Sequence, residues 1–76
     1  MKIINNGECL DGFGKFIRDG RERKDLFQSD VAELLGISQP FYSMIERGER
    51  QVDFVLALEI CKVLNLDIND FVRTYI

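Results

Sequence analysis

The chain has 76 residues and a net charge of −3; 46% of it is hydrophobic and 30% charged. These values describe one small globular domain and exclude wholesale disorder, and no apolar run approaches the roughly 18 residues of a membrane span. There is no histidine, the two cysteines (Cys9 and Cys61) stand far apart without a CxxC pairing, and no serine or threonine sits beside a plausible base, so composition points away from an enzyme, a metal site or a cofactor.

Residues 1–12 read as an irregular segment, because Asn5-Asn6-Gly7 and Asp11-Gly12 are turn signals. The same stretch turns polar too early for a signal peptide. The expected location is therefore cytoplasmic, with both thiols reduced. Gly12-Phe13-Gly14-Lys15 lacks the Gly-Lys-Ser/Thr ending and the preceding strand of a phosphate loop. It reads instead as a flexible lead-in to a helix.

From residue 13 to the end the apolar spacing is helical, which predicts an all-α domain over 13–76. The first helix is expected over 13–24, with Phe13, Phe16 and Ile17 on its apolar face and Gly20 in its interior at a cost of about 1 kcal/mol relative to alanine. The second is expected over 28–35, burying Val31, Ala32, Leu34 and Leu35, with Gly36 as its left-handed stop. Ser38 is the expected N-cap of a third helix over 39–47, and Pro40 fits its first turn, where a missing N–H is harmless. Two helices of about two turns joined by Gly36-Ile37-Ser38 make a helix-turn-helix. Asp53 is expected to cap a fourth helix over 54–64, burying Phe54, Ala57, Leu58, Cys61 and Leu64. Asn65 then stops that helix, and Asp67 caps a fifth over 68–75 with Ile68, Phe71, Val72 and Tyr75 apolar.

On a wheel of the third helix, Tyr42 and Ile45 point to the core, while Gln39, Pro40, Ser43, Met44 and Arg47 span the other side. That side carries no acid. Its amide, hydroxyl and small apolar groups suit a major groove, where glutamine pairs with adenine and apolar groups meet thymine methyls. Helix N-termini, opened here by Gln28 and by Ser38 and Gln39, suit phosphates. The plain alternative is the solvated face of a bundle helix.

Gln28 to Ser38, followed by Ile45-Glu46-Arg47-Gly48-Glu49-Arg50, resembles the phage-repressor (Cro-type, XRE) helix-turn-helix family, and the register continues without a gap over roughly 13–72. The resemblance implies a compact five-helix, lambda-repressor-like fold. It also implies sequence-specific binding of double-stranded DNA by a transcriptional regulator, usually a repressor acting as a homodimer on a near-palindromic operator, with no small-molecule ligand evident. By position, Gln28 would grip a phosphate and brace Gln39, which would read a base edge. Pro40, Ser43 and Met44 would also face the groove, Ser38 would open the recognition helix, and Arg47 and Arg50 would hold backbone. Arg21 and Glu46 correspond to a structural salt bridge between the first and third helices.

The sequence departs from the family pattern in several places. Phe27 stands where a Ser or Thr cap is usual, Asp25 where glycine is usual, and Glu49 where a basic residue is frequent. Val55, Leu56 and Val63 are apolar on the expected outer side of the fourth helix. With Val72, Tyr75 and Ile76 they form a candidate self-association surface. The acidity keeps a second reading open, a protein-interaction module or antitoxin component with this fold and weak or no DNA binding. The charge is unevenly placed, however. Residues 14–50 hold seven basic and seven acidic side chains, and the surplus acid lies outside them. An acidic back does not forbid local phosphate contacts, but it predicts weak non-specific affinity.

Overall fold

The computed structural model describes residues 12–76. The expectations for residues 1–11, including the thiol state of Cys9, lie outside the described residues. Five helices follow one another: α1 (Phe13–Arg23), α2 (Gln28–Leu35), α3 (Gln39–Glu46), α4 (Phe54–Val63) and α5 (Ile68–Tyr75). No strand occurs among the described residues, and no described helix is long and apolar enough to cross a membrane.

Local chemistry sets the helix ends. Gly36 adopts φ 72°, and the Ile37 and Gly36 N–H groups bond back to the carbonyls of Ala32 and Glu33 at 3.0 and 3.1 Å. This closes α2 with a left-handed turn and aims the chain into α3. The hydroxyl of Ser38 accepts from the Phe41 N–H at 3.2 Å, and Asp53 accepts from the Leu56 N–H at 2.8 Å. Phe27 offers no side-chain acceptor at the start of α2. Asp30, three residues on, reaches back to accept from the Phe27 N–H at 2.8 Å, so half of a capping box survives. Asp25 and Asn65, which end α1 and α4, have φ of 56° and 54°. Asp25 thus holds, with a side chain, the left-handed backbone that glycine adopts without steric cost.

The core joins all five helices through Phe13, Ile17, Val31, Ala32, Tyr42, Ile45, Ala57, Ile60, Cys61, Leu64 and Phe71, with Val52 from the α3–α4 loop. Phe71 meets Phe13 edge-on at 5.4 Å between ring centroids, tying α5 to α1, and stacks on Tyr75 of its own helix at 5.2 Å. Cys61 is free and buried, and burial pushes its thiol up.

Four expectations need correction. Gly14 is not a flexible lead-in: it is buried within α1, and a Cβ there would lie 2.2 Å from the Glu46 carbonyl oxygen. Only a glycine lets α1 cross the end of α3 so closely. Gly20 is likewise buried, 2.6 Å from Leu66 at its Cβ position, so its cost in helix propensity is offset by close packing. Leu34 is exposed and leaves the α2 core face to Val31, Ala32 and the partly buried Leu35. On α4 the buried arc is Ala57, Ile60, Cys61 and Leu64. Phe54 is 64% exposed and Leu58 39% exposed, whereas Leu56 and Val63, expected outside, pack in part against the core. The helix is turned because its solvent face centres on Glu59 and Lys62, the two polar residues of an otherwise apolar ten-residue segment.

Candidate nucleic-acid interface

α3 is held against α1 and α2 by a buried ionic group. The Arg21 Nε donates to Glu46 Oε2 at 2.7 Å and Nη2 donates to Oε1 at 3.1 Å, a two-pronged pairing. The remaining Arg21 Nη1 donates to the Leu26 carbonyl at 2.7 Å, fixing the α1–α2 turn. Gln28 Nε2 donates to Glu46 Oε1 at 3.0 Å, which brings α2 into the same group. Burial alone would raise the Glu46 carboxyl, but the donors from Arg21 and Gln28 outweigh it and hold the carboxyl below the ordinary glutamate range. The bond to Glu46 likewise raises Arg21. Beside the group, the Tyr42 hydroxyl is buried and makes no hydrogen bond among the described residues. Burial, reinforced by Glu46, pushes that phenol far above its usual range.

With Glu46 turned inward, the outward face of α3 carries no carboxylate. Ser38, Gln39 and Pro40 are exposed at its N-terminal end, Ser43 and Met44 are half-buried along it, and Arg47 is exposed at its C-terminal end. The structure therefore places Ser38, Gln39, Pro40, Ser43, Met44 and Arg47 together on the outward side of α3. Gln28 stands apart: it is half-buried with its amide N–H directed to Glu46, so its present partner is the ionic group and not Gln39. Arg50 lies with its guanidinium 5.0 Å from the centroid of the Phe41 ring, a cation–π contact that sets it beside the start of α3.

Arg47 is clasped. Its Nε and Nη2 donate to the two carboxylate oxygens of Glu49 at 2.9 and 3.2 Å, and its Nη1 donates to the Ser43 hydroxyl. The pair raises Arg47 and holds the Glu49 carboxyl below its ordinary range.

Three contributors escape a reading of the sequence: Gly14, the Leu26 carbonyl and the Phe41 ring. Each acts through a tertiary contact. Phe41 alone leaves a sequence signal, an aromatic on a helix whose other core positions are already filled. No group of three or more metal-ligating side chains occurs among the described residues. The candidate self-association residues divide. Val55 and Val72 are exposed, while Leu56, Val63, Tyr75 and Ile76 are partly buried against the core. The apolar surface that α4 presents to solvent is Phe54, Val55 and Leu58.

A short turn with a left-handed glycine, then a helix α3 capped by Ser38 with an acid-free outer face, define a helix-turn-helix protein. Residues 17–71 match the family described as Helix-turn-helix, and the chain belongs to this XRE-type family of DNA-binding transcription regulators. It is similar to the ImmF control region 10 kDa protein of Bacillus phage phi105, with 37% identity over 62 residues, covering 79% of this chain and 69% of that protein. It is also similar to YqaE of Bacillus subtilis (strain 168), described as an uncharacterized HTH-type transcriptional regulator, with 30% identity over 57 residues, 75% of this chain. The chain spans about half of that second relative, 49% of its length.

Proposed function

We propose that this chain is a sequence-specific DNA-binding repressor that acts as a homodimer on a near-palindromic operator. One observation carries the reading. The buried Arg21–Glu46–Gln28 group removes the only acid of α3 from its outer face and fixes that face as a rigid edge of Gln39, Pro40, Ser43 and Met44. A base reader needs both properties: no like charge facing the bases, and a geometry set before contact.

Each exposed group has a place in that reading. Gln39 offers a paired donor and acceptor to an adenine edge, and Pro40 and Met44 offer apolar contact to thymine methyls. Ser38 caps α3 by holding the Phe41 N–H and lies exposed beside Gln39, with Arg47 and Arg50 on the flanking backbone. Gln28 acts from behind, locking α2 to Glu46. The phage relative, by name a control-region protein, supports the repressor reading. The exposed Phe54, Val55 and Leu58 of α4 support self-association, since apolar groups gathered on one helix face are costly in a monomer.

Selection from a random duplex pool tests the proposal. The expected result is enrichment of a near-palindrome with half-sites about 10 bp apart, bound more weakly as salt rises. Sedimentation should give a dimer that Val55→Asp with Leu58→Asp dissociates. Absence of any enriched duplex would favour the interaction-module reading. A strict monomer at high concentration would remove the homodimer.

A further inference from the structure

We propose that Glu49 is a built-in competitor for the DNA backbone: its carboxylate occupies Arg47 in the free protein, and a phosphate must displace it. This rests on the reading above that the α3 edge meets DNA.

The geometry is specific. An arginine takes a phosphate through two parallel N–H donors on one edge of its guanidinium. In this chain that edge, Nε with Nη2, is already filled by both oxygens of Glu49, and the third nitrogen is held by Ser43 on the groove-facing side of α3. A phosphate on that edge therefore competes with Glu49 for the same two donors. Arg50, one residue further on, is held in another way. Its guanidinium carbon lies over the Phe41 ring, 5.0 Å from the centroid, so its contact there is with an aromatic face and not with an acid. The two arginines of the α3–α4 loop are thus held differently, one by a carboxylate and one by an aromatic ring.

The exchange costs the same on any duplex, so it weakens both modes of binding by one factor and leaves their ratio unchanged. Binding to arbitrary sequence draws on backbone charge alone, so the loss leaves it weak. Binding to the operator keeps the base contacts of Gln39 and its neighbours. Glu49 thus sets the level of backbone affinity by local geometry, beyond the general effect of the acidic surplus elsewhere in the chain.

The test is a double-mutant cycle on the duplex selected by the wild-type chain and on a scrambled duplex. The proteins are the full chain with Glu49→Gln, Arg47→Ala, or both, each first shown folded by circular dichroism. Glu49→Gln should tighten binding about 2–5-fold per half-site, the size expected on releasing an exposed ion pair. It should also steepen the plot of log K against log salt by about one per half-site. The gain should be about equal on the two duplexes, and it should vanish in the Arg47→Ala background. An equal gain with and without Arg47 would make Glu49 a simple repulsive charge and overturn the proposal. So would no gain from a wild-type chain that does bind. If neither wild type nor Glu49→Gln binds any duplex, the DNA-binding reading itself fails, and the competitor falls with it. Binding by Glu49→Gln alone would support an extreme form of the competition.

Discussion

Glu46→Ala tests the internal architecture most sharply. The carboxylate is 5% exposed and accepts from Arg21 through two donors and from Gln28 through one. Removing it strands a buried guanidinium and an amide, and breaking one side of a buried ion pair costs about 3–5 kcal/mol. A chain of this length has about 4–11 kcal/mol in total. The variant should therefore lose between about a quarter and all of its stability, read by urea denaturation followed with circular dichroism. Replacing both charges with apolar residues of similar size, Arg21→Met with Glu46→Leu, should recover most of the loss, because the penalty comes from the charge left alone. The pH dependence follows from the same group. The folded-state Glu46 lies below its ordinary 4.5, so its contribution is complete above about pH 4.5 and is lost as pH falls through the lower, folded value. Glu46→Gln should remove that part of the acid sensitivity. A loss under 1 kcal/mol for Glu46→Ala, or identical acid profiles for wild type and Glu46→Gln, would refute the reasoning.

Two further predictions concern glycine positions. Gly14→Ala should destabilise by about 1–3 kcal/mol despite alanine's better helix propensity, because its Cβ would meet the backbone carbonyl of Glu46. Gly20→Ala should cost less, since what it meets is the tip of the Leu66 side chain, which can turn aside; denaturation midpoints of the two variants rank them. Asp25→Gly should stabilise by up to about 1 kcal/mol by relieving the left-handed backbone at φ 56°, and an unchanged or lower melting temperature would contradict this.

The sequence reveals the helix-turn-helix because its punctuation is local. Gly36, Ser38 and Pro40 act within a turn of where they stand, so the ends of α2 and the start of α3 follow from single residues. The phase of α4 is less legible, since eight of its ten residues are apolar and many faces look equally buried. Only Glu59 and Lys62 mark the solvent side, and weighing them above the apolar spacing would have turned Phe54 and Leu58 outward. Within the site, the pairing of Arg21 with Glu46 is legible through its family register. The direction of Gln28 is not: a glutamine at a helix start serves a phosphate or a carboxylate equally well, and the fold brings Glu46 to it. Likewise Glu49 is visible in the sequence as an unexpected acid, but its grip on Arg47 depends on the left-handed turn at Gly48, φ 75°, that folds the loop back.

The central claim is that the outer face of α3 reads bases. Gln39 is exposed at its N-terminal end, and its replacement can be read position by position on the selected operator. Measured against every single-base variant of one half-site, Gln39→Ala should cost about 1–3 kcal/mol on the preferred sequence and flatten discrimination at one base position, leaving the others intact. An equal loss on all variants, or no loss on any, would contradict the claim.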